Sequence, residues 1–380
     1  MTFTYQKNHR FFAQVADGME DLGREELISL GAQEVKPTYR GIYFSADQGA
    51  LYRINYTARI ITRVLAPLLS FDCHSTKYLY KTALTIPWSE IFSLDNTFVI
   101  SANVSNSKIR HSQYATLVLK DAVVDSFRQA TGSRPDVARI DADICFNLHI
   151  SNNKATIYLD TSGGSLHRRG YRRASVDAPM QETLAAAIIH MSEWDGCTPL
   201  YDPMCGSGTL LCEAYMHYCN IPSGYFRKNF GFTFMPEYDQ SLWKSVKKEE
   251  GSRIKPLPKG LISGSDASSV SISAAQMNME ELPNGRTIVL KHQRFEDLGN
   301  LENTTIVCNP PYGHRMKTKK DIGSFMKAFG NFLKQRCTGS VAYIYFGNRE
   351  LIKEIGLRST WKKPLKNGQL DGRLVKYELF

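Results

Sequence analysis

Residues 304 to 315 read Thr-Thr-Ile-Val-Cys-Asn-Pro-Pro-Tyr-Gly-His-Arg. Three β-prone residues, Thr305, Ile306 and Val307, lead through Cys308 into an abrupt Asn309-Pro310-Pro311-Tyr312. That is the pattern of a buried strand stopping at a polar turn. An exocyclic amine on a purine is a poor nucleophile because its lone pair is delocalised into the ring. To attack a methyl carbon it has to be drawn towards tetrahedral geometry. Two acceptors at one point do this: the side-chain oxygen of Asn309 and the backbone carbonyl of Pro310, held by the stiff Pro310–Pro311 pair. Tyr312 offers a face on which a flipped-out base stacks. No basic side chain is needed if the donor is a sulfonium, because the amine sheds its proton once it is positively charged. The plain alternative is a Pro-Pro turn that closes a strand. The apolar run before it and a glycine loop upstream weigh against that.

The glycine loop is "LYDPMCGSGTLLCEAYM". Asp202 closes a strand, Gly206 and Gly208 let the backbone turn tightly, and Thr209 opens a helix whose free N–H groups favour anionic or polar groups. Gly-x-Gly alone is weak, since Leu211 stands where a dinucleotide fingerprint has its third glycine. A carboxylate beside a helix N-terminus, however, suits a zwitterionic amino-acid moiety. Cys205 reads as a small packing residue. A second strand end, "GLISGSDAS", places Asp266 to accept hydrogen bonds from ribose hydroxyls, and a helix N-cap is the alternative reading of the same residue. Gly208 and Asp266 are 58 residues apart in the chain, against about 20 in a minimal nucleotide-binding unit. An insertion over residues 220–259, rich in aromatics and lysines, accounts for the difference.

These strand ends need a scaffold. After residue 179 the chain alternates helices with short apolar strands, the mark of a doubly wound sheet with its ligands at the carboxyl ends of the strands. Before it stand small α+β modules: strand, helix and strand over residues 10–47, a helical period from Leu51 to Leu65, a long helix near 114–131, and a hairpin of strands near 144–150 and 154–160. "TSGGSLHRRGYRRASVDAP", residues 161–179, breaks the pattern with four arginines and reads as the linker.

The 380 residues carry 47 Lys and Arg against 37 Asp and Glu, a net charge of +10. Residues 1–160 hold 17 basic and 16 acidic side chains and residues 161–380 hold 30 and 21, so an anionic partner is expected mainly against the C-terminal part. Eight cysteines without paired spacing make neither a zinc knuckle nor a disulfide framework, which points to reduced thiols in a cytosol. No apolar leader and no run of about 18 apolar residues is present, so neither secretion nor membrane spanning is expected.

At this point the residues resemble a known family. "DPMCGSGTLLCEA" followed by "NPPYG", with "LHRRGYRRASVDAPMQETLAAAII" upstream and "NGQLDGRLVKYEL" at the end, is similar to the THUMP-domain-containing RNA methyltransferases. The nearest type is the bacterial 23S rRNA guanine-N2-methyltransferase, often labelled an N6-adenine-specific DNA methylase. The likeness extends to "GMEDLGREELISLGA" near the N-terminus. It implies an α/β chain: a Rossmann-like S-adenosylmethionine-dependent methyltransferase domain over 180–380, a linker over 166–179, a THUMP RNA-binding domain over 56–165 and a ferredoxin-like segment over 1–55.

By motif match, Asp202, Pro203, Met204, Cys205, Gly206, Ser207, Gly208 and Thr209 would hold the methionine part of the cofactor and Asp266 its ribose. Asn309, Pro310, Pro311 and Tyr312 would receive the base. "QRFEDL" departs from the family pattern, with Arg294 where many relatives carry an adenine-contacting Asp, so Asp297 is expected in that role. RNA contacts are expected from Lys108 and Arg110, and from Arg168, Arg169, Arg172, Arg173 and Arg315, with phosphate contacts positioning while the pocket specifies. The implied partner is 23S rRNA or a pre-50S particle in the cytoplasm, with no membrane and no metal.

Other readings stay open at this stage. The same Asn-Pro-Pro-Tyr serves a tRNA guanine-N2 enzyme or a DNA adenine-N6 enzyme, and a non-enzymatic assembly factor with a vestigial cofactor loop is the remaining class. The intact Asp202, Gly206, Gly208, Asn309, Pro310 and Tyr312 argue against decay.

Overall fold

Residues Phe11 and Ala13 are buried while Arg10, Phe12 and Gln14 are half-buried, the two-residue period of a strand with one covered face. The computed structural model describes residues 2–176, 179–311, 319–368 and 370–380. The first elements are α1 (Thr4–Asn8), β1 (Arg10–Gln14), α2 (Glu20–Ser29), β2 (Gln33–Thr38), β3 (Gly41–Ser45), α3 (Gln48–Thr57) and β4 (Arg63–Asp72). There follow α4 (Thr76–Ala83), β5 (Phe98–Ser105), α5 (Ser112–Thr131), β6 (Ile144–Ser151) and β7 (Lys154–Asp160). Local chemistry sets several ends. The Asp47 carboxylate accepts the Ala50 N–H at 2.7 Å to start α3, the Ser75 hydroxyl accepts the Tyr78 N–H at 3.2 Å to start α4, and Gly132, at φ +75°, ends α5.

The seven strands form one sheet in the order β2-β3-β1-β4-β7-β6-β5, antiparallel throughout except for β5 and β6. β4 pairs with β1 on one side and β7 on the other, so the two N-terminal modules share a sheet. Position 55/56, where the sequence divides them, falls inside α3.

The C-terminal elements are α6 (Glu182–Met191), β8 (Leu200–Asp202), α7 (Thr209–Tyr218), α8 (Gln240–Ser252), β9 (Ile262–Asp266), α9 (Ser269–Glu280), β10 (Val289–His292) and β11 (Thr305–Cys308). After these come α10 (Lys319–Arg336), β12 (Val341–Phe346), β13 (Trp361–Pro364) and β14 (Arg373–Glu378). Their sheet runs β10-β9-β8-β11-β12-β14-β13, parallel from β10 to β12, with β14 antiparallel to β12. The alternation expected from the sequence is present, and the architecture is Rossmann-like. From β8 the chain steps outward to β9 and β10, then returns to the other side for β11 and β12. The switch between β8 and β11 opens a crevice at their carboxyl ends. Met326, Phe329 and Leu333 of α10 pack on Ile306, Cys308 and Ile344 and fix the end of β11.

By compactness the chain divides into two units: up to Val15 with Gly23–Leu166 and Arg227–Lys248, and Ala16–Leu22 with His167–Phe226 and Glu249–Phe380. The stretch read as an insertion in the C-terminal half therefore gives its middle to the first unit. There Phe232 lies 4.5 Å from Tyr52 between ring centroids and Trp243 lies 5.2 Å from Tyr56. Arg227 donates to the carbonyls of Ser162 and Ser165 at 2.9 Å and to those of Gly163 and Gly164 at 3.2 Å. In and beside the expected linker, Leu166, Arg169 and Tyr171 are each 1% exposed.

Candidate active site

Asp202 ends β8, and the loop after it is folded by its own polar groups. The Asp202 carboxylate accepts the Met204 N–H at 3.0 Å, the Cys205 N–H reaches the Ser265 carbonyl at 2.9 Å, and the Gly206 N–H reaches Asp266 Oδ2 at 2.9 Å. Gly206 and Gly208 take φ of +55° and +79°, a region glycine occupies without strain. A Cβ on Gly208 would also stand 2.9 Å from Met279 and 3.2 Å from Ala275 of α9. The loop is thus pressed against α9 as α7 begins.

Asp202 is 1% exposed, and its burial, helped by the charge of Asp266, pushes its carboxyl well above the usual carboxylate range despite the Met204 N–H. A cation delivered into the cleft relieves that cost. Asp266 uses one oxygen on Gly206 and the other on the Ser268 N–H at 2.9 Å. The N-cap of α9 is Ser268, which accepts the Ser271 N–H at 3.2 Å, so the capping reading of Asp266 holds only for a turn ahead of the helix.

The cleft encloses about 360 Å³. Asp202, Pro203, Met204, Cys205, Gly206, Ser207, Thr209 and Asp266 all line it, as do Asn309, Pro310 and Pro311. The structure thus brings together at one cavity the strand ends that are far apart in sequence. Asn309 Oδ1 is fully buried and has no hydrogen-bond partner among the described residues. An unpaired buried acceptor is costly, and its natural partner is an N–H donor entering the cleft. Tyr312 and Arg315 lie outside the described residues.

Several expectations change. Gly208 does not line the cleft and serves as the turn behind it. Asp297 is exposed and stands off the cleft wall, which Arg294, Phe295 and Glu296 form instead. The short 3-10 turn Phe295–Asp297 carries the carboxylate one residue earlier, and Arg294 holds Glu296 in a bidentate pair at 2.9 and 3.3 Å. Arg169 is withdrawn from any surface RNA could reach: it pairs with Glu213 at 3.3 Å, both side chains 0% exposed, and Tyr171 donates to the same carboxylate at 3.1 Å. Arg172 is spent on Glu182 at 2.8 Å, Ser207 Oγ at 3.3 Å and Thr209 Oγ1 at 3.1 Å. Arg173 is exposed but pairs with Glu281, and Arg168, Lys108 and Arg110 are exposed.

Val176, Pro179, Met180 and Phe325, also cleft residues, were missed. Val176 and Pro179 stand in the segment read as the linker, whose arginines drew the reading towards RNA, and Met180 follows directly after it. Cys205 and Cys308 are buried with thiols pushed well above their ordinary range, so neither is a thiolate nucleophile. Among the described residues no group of three or more His, Cys, Asp or Glu is arranged to hold a metal, and no helix is long and apolar enough to cross a membrane.

The arrangement has known counterparts. The profile of the RMKL-like methyltransferase domain matches residues 169–376, that of the THUMP domain residues 73–160, and that of the RlmL ferredoxin-like domain residues 10–65. The chain belongs to the THUMP-domain-containing RNA methyltransferases. A proposed RNA methyltransferase of Synechocystis sp. is 39% identical over 371 residues, covering 97% of each chain. Among solved structures, SMU.472, a proposed methyltransferase complexed with S-adenosylhomocysteine, matches with TM-score 0.86 and 25% identity over 100% of this chain and 99% of that one. A possible methylase from Clostridium difficile 630 matches with TM-score 0.86 and 27% identity over 98% of both chains.

The cofactor of this methyltransferase is S-adenosylmethionine, and the residues fit it. Asp202 is a buried carboxylate suited to an ammonium, Asp266 is an acceptor at the second strand end, and Phe295 and Phe325 give apolar walls beside the Glu296 carboxylate. When bound, this cofactor supplies an electrophilic methyl group on a positively charged sulfur.

Proposed function

We propose that this methyltransferase modifies the exocyclic N2 of a guanine in 23S rRNA, acting in the cytoplasm on the free RNA or on a pre-50S particle. The observation that carries the reaction type is the buried Asn309 Oδ1, which has no hydrogen-bond partner among the described residues, in the same cleft as Asp202. Asn309 Oδ1 and the Pro310 carbonyl accept the two hydrogens of the target amine. That draws the nitrogen lone pair out of conjugation and towards the methyl carbon. The nitrogen would gain the methyl as the methyl's bond to the sulfonium breaks, the sulfur keeping the pair as a neutral thioether, and the surplus proton on nitrogen would pass to water, so no side-chain base is required. Tyr312 supplies the stacking face for the flipped base.

Support for RNA comes from the THUMP match over residues 73–160 and from the RNA methyltransferase name borne by the Synechocystis relative. Support for guanine in the large-subunit RNA comes from the family type that the motifs resemble.

The test is transfer of labelled methyl from S-adenosylmethionine to total RNA from cells lacking this gene, separated into rRNA and tRNA and digested to nucleosides. N2-methylguanosine in the large-subunit fraction is the expected product. Label confined to tRNA would move the assignment to a tRNA guanine enzyme, and label in N6-methyladenosine would overturn the choice of base.

A further inference from the structure

Asn278, on the third turn of α9, is 1% exposed and uses its whole hydrogen-bonding capacity. Its Oδ1 accepts the N–H groups of Arg173 and Ala174 at 2.7 and 2.9 Å. Its Nδ2 donates to the carbonyls of Ala174 and Ser207 at 2.9 and 3.0 Å. Two donors facing one end of the amide and two acceptors facing the other leave a single orientation for the group. The four bonds join two pieces of backbone distant in sequence. One is the strap 171–176, which leads into Val176, Pro179 and Met180 on one wall of the cleft. The other is the loop Pro203–Ser207, which forms a second wall. α9 also presses on this loop at Gly208 and carries Ala267, a third lining residue, just ahead of its N-cap.

We propose that Asn278 is a positioning residue for the cofactor: it clasps the strap to the loop and holds the two walls at the separation S-adenosylmethionine requires, without itself lining the cleft. Arg172 supplies a second tie between the same pieces, through Ser207 Oγ and Thr209 Oγ1. The amide is specific to this task. A carboxylate keeps the two acceptor contacts to the strap and loses both donor contacts, including that to Ser207. Alanine loses all four.

The inference rests on the cofactor assignment and not on the nucleic-acid substrate, so it is tested without RNA. The dissociation constant of S-adenosylhomocysteine is measured calorimetrically for the full chain, Asn278→Ala, Asn278→Asp and Asn55→Ala. Asn55 is an equally buried asparagine of the other unit, bonded to Leu51, Thr161 and Ser162. Asn278→Ala is expected to bind about 10- to 100-fold more weakly, since all four ties go and only part of their worth, about that of one or two buried hydrogen bonds, falls on the cofactor while Arg172 still joins the walls. Asn55→Ala is expected to lower the melting temperature and leave that constant unchanged.

Hydrogen exchange separates the clasp's two arms. The Arg173 and Ala174 amides lose protection in Asn278→Ala and keep it in Asn278→Asp, while both variants bind more weakly. Wild-type affinity in Asn278→Ala, or an equal loss in Asn55→Ala, overturns the proposal. If Asn278→Ala does not fold, wild-type affinity in Asn278→Asp overturns it instead. A wild-type chain without measurable binding would overturn the cofactor site itself, and the clasp with it.

Discussion

Asp202 and Asp266 close neighbouring parallel strands at the same cleft, and the charge of Asp266 adds to the burial that makes Asp202 hard to ionise. The Asp202 carboxyl is held well above its unfolded value of about 3.9. Between those two values the folded chain keeps a proton that the unfolded chain has released. Without ligand, stability therefore falls as pH rises through that window, and the penalty is complete above it. Asp202→Asn keeps the acceptor used by the Met204 N–H and removes the charge. The variant is expected to melt with the wild type below the window and at a higher temperature at neutral pH. Cofactor affinity of the wild type should rise as pH approaches the raised value of the free folded carboxyl, where binding an ammonium expels the proton, and be flat in the variant. Melting curves and calorimetric binding across pH check both, and a variant less stable at every pH would sink the account.

Asn309→Ala separates chemistry from cofactor binding. Removing a lone acceptor that has no partner in the described structure relieves a buried group, so stability should hold or rise slightly. Methyl transfer should fall by about 100-fold or more, the scale of losing one positioned group at the reacting centre. S-adenosylhomocysteine affinity should change by less than about twofold. A parallel loss of affinity would mean that Asn309 holds the cofactor and not the amine.

Much of this site was legible in the sequence because it is local. A strand that ends on Asp202, a Gly-x-Gly turn and a helix are consecutive, and turn chemistry dictates them. Most of the misses are distant pairings. Arg169 was expected among the RNA contacts because its partner Glu213 is 44 residues on and nothing beside it in sequence showed the pair. The available signal was Glu213 itself, a lone carboxylate in the apolar "TLLCEAYM" that needed a buried cation. Residues 227–248 showed their aromatics, but their partners Tyr52 and Tyr56 lie far up the chain. Glu296 and Asp297 differ only in which side of one turn they occupy, and nothing in composition decides that.

The Arg169–Glu213 pair should behave as structure and not as an RNA contact. Breaking a buried pair from one side leaves an uncompensated charge, at a cost of about 3–5 kcal/mol. Arg169→Ala should therefore lower the denaturation midpoint sharply, while Arg168→Ala on the exposed neighbour should leave it within about 0.5 kcal/mol of wild type. Chemical denaturation of the two variants gives the comparison. A mild Arg169→Ala would show that the pair adds little.

Gly208→Ala probes the turn behind the cleft. The substitution meets both a left-handed φ and two α9 side-chain atoms within 3.2 Å. A cost of about 1–3 kcal/mol is expected from the backbone alone, with weaker cofactor binding as the loop lifts from α9. A variant of wild-type stability and affinity would show that the loop adapts freely.

For RNA, the exposed candidates among the described residues are Lys108 and Arg110 in the first unit and Arg168 and Arg173 in the second. A phosphate contact contributes counterion release, so each residue that touches a phosphate should, on conversion to Ala, reduce the slope of log affinity against log salt by about 1. Arg173 has to leave Glu281 to make such a contact, so its contribution should be smaller than that of Arg168. Filter binding of large-subunit RNA over a salt series, with each single variant, ranks them. An unchanged slope for all four would place the RNA path elsewhere on the chain and leave the methyl-transfer site untouched.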